Sequence, residues 1–339
     1  MEYNNQKLTL IGNKEYNLLS PTSSEYKKLM IESFGDEYIN NEDFKMDVTL
    51  NTNSVDGYFI ELKTNIINPF KVEVYDEKEK LIYDTELTSG MYSKLNRRYY
   101  TKWKTKLHLN NLLFEHEFDL KNSRVFIVFE SSSLGDTLAW MPYCEEFRKK
   151  HNCHVIVSSF MNSMFEDQYP EIEFVGRGVV VPNIKALYRL GWFYDKDKEP
   201  VLPSTIPLQK TATNILGLDY KEIHSKIYFE PKEKPYSEKY ICIAPSSTAG
   251  CKLWNNPDGW QNVVDYLVGL GYEVRLLSKE NDGYMGNKEP KGIVKNKPGS
   301  LVDLIKVIQE SEFFIGISSG LSWLAWACDI PTVIIQVSP

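Results

Sequence analysis

The hydrophobic pattern of the chain changes near residue 120. Before that point, short segments such as GYFIELKT (57–64) and FKVEVYD (70–76) alternate apolar and polar side chains, and turn residues separate them. A period of two residues, broken by frequent turns, is typical of antiparallel strands that bury one face. We therefore predict a small antiparallel all-β domain over residues 1–120.

Beyond residue 120 the strands become apolar throughout and alternate with segments of helix length. The expected strands are RVFIVF (124–129), HVIVS (154–158), KYICIA (239–244), YEVRLLS (272–278), FFIGI (313–317) and TVII (332–335). Strands of this kind are buried on both faces, as in a parallel sheet covered by helices. The predicted fold class is therefore α/β, with two Rossmann-like domains over residues 121–235 and 236–339.

Two features of the second half predict specific structure, one at the start of a helix and one at the end of the sequence. Asn256 and Pro257 have the residue types preferred at the N-cap and first position of a helix, so we expect a helix to begin there. The sequence ends at Pro339, directly after a strand, whereas a parallel strand normally leads into a helix that covers the sheet. We therefore expect the natural protein to continue beyond Pro339.

Composition and charge exclude several classes of protein. A chain of 339 residues, 42% of them hydrophobic, exceeds what a single core organises. The net charge of −7 argues against a nucleic-acid-binding protein. The five cysteines form no CxxC pair and no HExxH motif occurs, so we expect no metal site in this chain. Because signal-peptide and membrane-span patterns are missing, we predict a cytoplasmic protein.

Three loops that follow predicted strands are rich in small polar residues. They are ESSSLGD (130–136), PSSTAGCK (245–252) and SSG (318–320). In open α/β sheets, ligands bind at the carboxyl ends of strands, where helix N-termini favour anions. Asp136 and Lys252 end the first two loops, and a carboxylate facing a lysine suits transfer from a diphosphate-activated donor. Asp136 is equally compatible with a helix N-cap, Lys252 with a solvated side chain, and Trp254 with a core residue.

The segment NRRYYTKWKTKL (96–107) interleaves basic and aromatic side chains. One interpretation is a surface for an acidic or sugar partner, and the other is a strand with a solvated basic face. The glycine patterns GxGxxG and GxxxxGK[ST] are missing from the whole sequence, which argues against dinucleotide-dependent oxidoreductases and P-loop enzymes.

Taken together, the motif-bearing segments resemble a known family. SSSLGDTLAWMPYCEEFRK (131–149), APSSTAGCKLWNNPDGW (244–260) and FFIGISSGLSWLAWACDIPTVII (313–335) resemble, in this order and spacing, the heptosyltransferase-type glycosyltransferases of the GT-B fold. The preceding β domain and the sequence GISSGLSWLAWA narrow the resemblance to the bacterial autotransporter protein O-heptosyltransferases. It covers residues 124–339.

The resemblance implies roles for individual residues. Asp136 falls on the family's catalytic base and Lys252 on its diphosphate-binding lysine. Further donor-binding positions implied in the same way are Ser133, Leu134, Gly135, Ser246, Ser247, Trp254, Glu280, Ser318, Ser319, Gly320 and Leu321. Ser318 and Trp323 stand where lipopolysaccharide heptosyltransferases carry an aspartate and a histidine, which favours the protein-modifying branch.

The resemblance implies an inverting, metal-independent transfer of heptose from ADP-heptose to serine hydroxyls of an autotransporter adhesin. No cofactor is implied in this chain; the structural iron of the family would require a Cys-rich segment beyond Pro339. The resemblance also leaves a homo-oligomer open. Two alternatives remain: a catalytically silent relative that binds a glycan or a protein partner, and a nucleotide-sugar epimerase of the same architecture, which acts without an acceptor.

Overall fold

A computed structural model describes most of the chain. The described residues are 47–110, 112–229, 239–278, 282, 284, 288–296 and 299–336, together with the backbone of two short strands at 6–7 and 9–11. Within them the chain forms two antiparallel sheets, two parallel sheets and five α-helices. The α/β class, with antiparallel sheets ahead of parallel ones, is thereby confirmed.

The N-terminal region consists of two antiparallel sheets. One contains β1 (Gln6–Lys7), β3 (Val48–Asn53), β4 (Tyr58–Thr64) and β7 (Tyr92–Leu95), in that order. The other has the order β2 (Thr9–Ile11), β9 (Leu112–Glu117), β8 (Lys104–Leu109), β5 (Phe70–Tyr75) and β6 (Leu81–Leu87). Alternate side chains of β5, namely Phe70, Val72 and Val74, are fully buried. The period-two pattern of the sequence therefore does mark a one-sided core.

The first parallel sheet has four strands. Their order is β12 (Glu173–Phe174), β11 (His154–Ser158), β10 (Arg124–Phe129) and β13 (Ala186–Leu190). Two helices, α1 (Leu134–His151) and α2 (Leu208–Leu216), accompany this sheet. The first helix follows β10 after a loop of only four residues, so its N-terminus stays at the carboxyl edge of the sheet.

The second parallel sheet has five strands. Their order is β16 (Val294–Asn296), β15 (Glu273–Leu277), β14 (Tyr240–Ala244), β17 (Phe314–Ile317) and β18 (Thr332–Ile335). Its helices are α3 (Gly259–Gly269), α4 (Leu301–Gln309) and α5 (Gly320–Ala327). Ile241 and Ile243 of β14 share a core with Val264 of α3, whereas Cys242 approaches the α4 carbonyl of Val307 from the opposite face. The sheet is thus covered on both sides.

Strand order reverses once within each parallel sheet. In the first sheet the chain moves outward from β10 to β11 and then returns to β13 on the other side of β10; in the second sheet it moves from β14 to β15 and returns to β17. At such reversals the loops after the two neighbouring strands diverge and leave a crevice. Each sheet therefore has one crevice, at β10/β13 and at β14/β17.

The antiparallel region is joined to the first parallel sheet through main-chain hydrogen bonds. The amide of Ser54, just after β3, donates to the carbonyl of Lys185 at 2.9 Å, and the amide of Leu187 donates to the carbonyl of Ser54 at 2.9 Å. The buried ammonium of Lys185 donates to both oxygens of Thr52. Because burial disfavours a charged amine, the pKa of Lys185 is lowered to about 8.

One helix boundary differs from the sequence prediction. Helix α3 begins at Gly259 with Asp258 as its N-cap, not at Pro257 with Asn256 as its N-cap. The Asn256 side chain accepts a hydrogen bond from the Asp258 amide at 3.3 Å, and the Asn256 carbonyl accepts one from Gly259 at 3.1 Å. Asn256 therefore closes a local turn ahead of the helix, a common alternative use of asparagine.

No helix within the described ranges combines the length and the apolar character needed to cross a membrane.

Candidate functional site

Asp136 lies in the first turn of α1, at the crevice of the first parallel sheet. Its side chain is 8% exposed, and its Oδ2 atom accepts two hydrogen bonds, from the Ser131 hydroxyl at 2.5 Å and from the Trp192 indole Nε1 at 3.0 Å. The helix N-cap is Ser133, so the capping interpretation of Asp136 is wrong. Both donors bind the same oxygen, and Oδ1 has no partner among the described residues.

The topology explains why these three residues meet. Ser131 belongs to the loop after β10, and Trp192 to the loop after β13, the strand that pairs with β10 on the side where strand order reverses. Trp192 is 44% exposed, so the indole lines the open crevice while its N–H is bound to Asp136. The arrangement presents one oriented carboxylate oxygen, which is able to accept a proton from a bound hydroxyl.

The crevices of the two parallel sheets meet at two glycines. A Cβ atom on Gly320 would lie 3.0 Å from the Cβ of Leu134, and one on Gly135 would lie 3.0 Å from the Trp323 ring. At these distances a methyl group at either glycine would force its neighbour to move by a few tenths of an ångström. The N-terminal turns of α1 and α5, which come from different sheets, are therefore in direct contact.

The loop after β17 presents unpaired polar groups at this contact. Ser318 is exposed, and Ser319 is the N-cap of α5 without using its hydroxyl as a cap. The Ser319 Oγ atom is shielded from solvent and has no hydrogen-bond partner within the described part of the chain. Gly320 and Leu321 form the first turn of α5, where backbone N–H groups have no partner inside the helix. Such a turn attracts anions.

The loop after β14 carries Lys252 on a short 3₁₀ turn, Gly250–Lys252. Lys252 is exposed, and no carboxylate of the described residues pairs with it. Ser246 is half-buried, and Ser247 is buried with its hydroxyl accepting a hydrogen bond from the Ala249 amide at 3.3 Å. The loop thus offers an ammonium group with no carboxylate partner among the described residues, and it follows β14, the strand that pairs with β17 where strand order reverses.

One of the predicted donor-binding residues, Trp254, has other surroundings. The Trp254 ring packs on Gly259, where a Cβ atom would come within 2.6 Å of it, and lies edge-on to Trp260 with ring centroids 5.7 Å apart. Trp254 therefore packs against the core between α3 and the second sheet. Glu280 lies outside the described residues.

In the basic and aromatic segment 96–107, residues 104–107 belong to β8, and the lysines face carboxylates of β9. The Lys102 ammonium lies 3.2 Å from the Glu117 carboxylate. The ammonium groups of Lys104 and Lys106 lie 3.6 and 3.5 Å from the carboxylate of Glu115, on the neighbouring strand. The Trp103 ring is only 1% exposed, so it cannot serve as a platform for a sugar. For the part of the segment from Lys102 to Lys106, the structure favours a solvated basic face.

Sequence reasoning did not identify Trp192 as a site residue. The segment 160–235 carries many prolines and showed no clear strand, yet ALYRL (186–190) forms β13. A short partly apolar run followed at once by Gly191 and Trp192 was the available signal.

Comparison with known proteins identifies the family of the chain. The model of glycosyltransferase family 9 (heptosyltransferase) matches residues 180–335. The autotransporter heptosyltransferase Aah of Escherichia coli is 33% identical over 279 residues, which cover 78% of this chain and 71% of Aah. The chain belongs to the autotransporter heptosyltransferase family.

Two other members of the autotransporter heptosyltransferase family are described differently with respect to activity. The crystal structure of TibC from enterotoxigenic E. coli, described as an iron-containing dodecameric glycosyltransferase, matches with a TM-score of 0.74 and 28% identity over 84% of this chain and 77% of TibC. BimC of Burkholderia thailandensis, described as an inactive autotransporter heptosyltransferase, is 26% identical over 75% of this chain and 62% of BimC. The chain thus spans about two thirds of the length of such relatives.

The iron of TibC has no counterpart among the described residues. No three His, Cys, Asp or Glu side chains in that part of the chain are grouped so as to hold a metal ion. Cys144 and Cys153 are buried, and burial raises the pKa of Cys153 to about 12, which disfavours the thiolate that binds iron. The described His, Cys, Asp and Glu side chains therefore do not fit an iron site.

Proposed function

We propose that this autotransporter heptosyltransferase transfers a heptose from ADP-heptose to serine hydroxyls of an autotransporter adhesin, with inversion at the anomeric carbon. Family membership supports the reaction class, and TibC has been crystallised in complex with ADP-D-β-D-heptose. The observation that carries the proposal is the contact of Gly135 with Gly320 and Trp323, because it joins the carboxylate crevice to the anion-attracting crevice.

In the proposed reaction, Oδ1 of Asp136 takes the proton of the serine hydroxyl. The hydroxyl oxygen then forms a bond to the anomeric carbon as the bond from that carbon to the diphosphate breaks. Ser131 and Trp192 hold Oδ2, so the carboxylate keeps one orientation while its other oxygen acts as general base. A single displacement of this kind inverts the configuration at the anomeric carbon.

ADP leaves with additional negative charge on its diphosphate. We assign stabilisation of that charge to the Lys252 ammonium and to the N-terminal turn of α5 at Ser319 and Gly320, because a cation and free backbone N–H groups both favour an anion. Secondary donor contacts are assigned to the other predicted residues of the three loops: Ser133, Leu134, Gly135, Ser246, Ser247, Ser318 and Leu321. We also keep donor contacts of Glu280 and Trp254 as proposals.

The proposed architecture is a GT-B arrangement. In it, residues 121–235 supply the acceptor side and the base, residues 236–339 supply the donor side, and residues 1–120 assist acceptor binding. Divalent metal is not needed in this scheme, because Lys252 and the helix N-termini neutralise the diphosphate. Assembly into a homo-oligomer is proposed by analogy with dodecameric TibC. The cytoplasmic location stays a prediction.

The decisive test is intact-mass spectrometry. A serine-rich adhesin passenger fragment is incubated with the protein and with a panel of nucleotide sugars that includes ADP-heptose. We expect mass gains of about 192 Da per heptose with the ADP donor, lost in Asp136→Asn and unaffected by EDTA. Product formed without acceptor would favour the epimerase, and strict dependence on added Mg²⁺ or Mn²⁺ would contradict the proposed stabilisation of the diphosphate.

A catalytically silent relative is the second candidate. The resemblance puts Ser318 where lipopolysaccharide heptosyltransferases carry an aspartate, and BimC is a relative described as inactive. Tight ADP-heptose binding with no transfer to any acceptor would support this candidate. Isothermal titration calorimetry measures the donor binding, and mass spectrometry of ADP-heptose incubated with the protein alone tests for donor hydrolysis, which a silent relative does not catalyse.

A further inference from the structure

A polar pocket lies between the antiparallel region and the first parallel sheet. Its volume is about 430 Å³, within the range of small-ligand sites. Asp56 and Arg98 form the wall on the antiparallel side, and Glu130, Arg189 and Phe193 form the wall at the carboxyl edge of the sheet. None of these lining residues takes part in the proposed reaction, so the pocket has no assigned function.

The pocket adjoins the carboxylate crevice through the chain itself. Glu130 immediately precedes Ser131, and Phe193 immediately follows Trp192, so the pocket wall contains the sequence neighbours of both donors to Asp136. A Cβ atom at Gly191 would lie 2.9 Å from the Phe193 ring and 3.2 Å from Glu130, which shows how closely the two loops approach. The pocket and the carboxylate crevice are therefore built from the same two loops, 130–131 and 191–193.

The charges of the pocket are already paired with one another. Asp56 accepts from the Lys94 ammonium at 2.6 Å and lies 3.1 Å from the Arg98 guanidinium; hydrogen bonding from Lys94 lowers the pKa of Asp56. Glu130 is bound by Arg189. Lys198, which also lines the pocket, lies 3.6 Å from Asp195. The pocket is thus polar without a dominant sign of charge.

We propose that this pocket binds the acceptor polypeptide beside the modified serine and selects uncharged polar residues there. This inference rests on the proposed transferase function. Hydroxyl and amide groups can donate to Asp56 and Glu130 and accept from Arg98 and Arg189 without separating either pair. A lysine or aspartate must instead displace one partner of a pair and face the like charge that remains.

The test measures equilibrium binding of three fluorescent 15-residue peptides to the ADP-saturated protein. Each peptide has a central serine flanked by Ser, Thr, Asn and Gly. In the two charged peptides, the residue next to the central serine is Lys in one and Asp in the other. We expect the neutral peptide to bind at least about threefold more tightly than either charged peptide. Fluorescence anisotropy reports this without any turnover.

Charge reversal tests the pocket more sharply. Arg189→Glu places a second carboxylate beside Glu130 and gives the pocket an excess of negative charge, so the Lys-containing peptide should become the tightest binder and the Asp-containing peptide the weakest. The matched control is Arg124→Glu, which changes the net charge equally and breaks an ion pair with Glu173 at the other end of the same sheet. The double variant Glu130→Arg with Arg189→Glu restores an ion pair and should restore the preference for the neutral peptide.

Failure of the pocket and failure of the proposed function give different results. Equal affinities for the three peptides, no binding of any of them at millimolar concentration, or equal shifts in Arg189→Glu and Arg124→Glu would overturn the pocket assignment, even if heptose is transferred. Conversely, the expected order of affinities with no heptose transfer in the mass experiment would show a peptide-binding pocket with the proposed selectivity in a catalytically silent relative, and would refute the transferase.

Discussion

The Trp192 indole donates a hydrogen bond to Oδ2 of Asp136 at 3.0 Å, and this bond joins the loops of two neighbouring parallel strands. The Ser131 hydroxyl binds the same oxygen. A carboxylate held on one oxygen keeps the other aimed in a constant direction. This relationship gives Trp192 a positioning role and supports separate predictions for the carboxylate and for the residue that orients it.

Asp136→Asn should lower the transfer rate at least about 10³-fold, because an amide cannot accept the hydroxyl proton as a base. The affinity for ADP-heptose, measured by calorimetry, should change by less than about twofold, because a general base contributes to reaction and not to donor binding. Asp167→Asn, which changes an exposed carboxylate outside the crevice, is the control. Wild-type turnover in Asp136→Asn would remove Asp136 from the mechanism.

Trp192→Phe should lower kcat about tenfold and leave the donor Kd unchanged, because it removes a hydrogen bond to a charged group while keeping an aromatic ring. Steady-state kinetics with varied acceptor and donor separate the two parameters. Tyr194→Phe removes a polar group from the same exposed loop and should behave as wild type. A loss of donor affinity equal to the loss of kcat would indicate that Trp192 acts on the donor instead.

Gly320→Ala should weaken ADP-heptose binding at least about tenfold, because the new methyl group would lie 3.0 Å from Leu134 Cβ and 3.3 Å from the Gly135 amide and would separate the two helix N-termini. Calorimetry measures this change. Gly269→Ala introduces the same methyl group where no atom lies within 4 Å, and it should leave binding intact. Equal affinities in the two variants would show that the contact between α1 and α5 does not shape the donor site.

Lys252→Met should weaken ADP binding about tenfold or more and lower kcat, since it removes the cation assigned to the diphosphate. The control is Lys239→Met, at the amino end of β14, where the ammonium lies 4.0 Å from Glu312. The weakening should be smaller in high salt, because ions screen the lost interaction. Unchanged ADP affinity in Lys252→Met would transfer the anion-binding role to the backbone of α5 alone.

Glu199 provides a test by pH. Its side chain is 3% exposed, and burial raises its pKa to about 7, above the ordinary value of 4.5. The folded protein therefore holds this proton more tightly than the unfolded chain, and stability falls as pH rises from about 4.5 to 7. Glu199→Gln should exceed wild type in free energy of unfolding by about 1–3 kcal/mol at pH 8 and match it near pH 4.

Chemical denaturation at several pH values measures the effect of Glu199. The exposed Glu166→Gln variant is the control and should follow the wild-type pH profile. The Glu199 carboxylate accepts a hydrogen bond from the amide of Phe193, next to Trp192. A pH-independent difference between Glu199→Gln and wild type would show that this carboxyl group titrates normally.

The fold class and the loops around Asp136, Lys252 and Ser319 could be predicted from sequence because they depend on local patterns. An apolar strand, a small-residue loop and a helix start all lie within about twenty residues of one another, and their hydrophobic period identifies them. The start of α3 was misjudged for an equally local reason: Asn256 suits a turn as well as a helix cap, and the turn was formed.

Trp192 and the contact of Gly135 with Trp323 were beyond sequence reasoning. Trp192 reaches Asp136 only because β13 pairs with β10. This pairing is determined by the strand order of the sheet, which local propensity does not reveal. Likewise, the approach of Gly320 to Leu134 depends on how the two parallel sheets are oriented. Such relationships join residues far apart in the sequence and leave no periodic signal.

The pair of main-chain hydrogen bonds between Ser54 and the segment 185–187 has a consequence for affinity. The two walls of the polar pocket belong to the regions that these bonds connect, so the distance between the walls is set before any peptide arrives. A site that is preorganised in this way spends little binding free energy on ordering itself. The pocket should therefore distinguish peptides by fit to a fixed frame, and not by closing around each one.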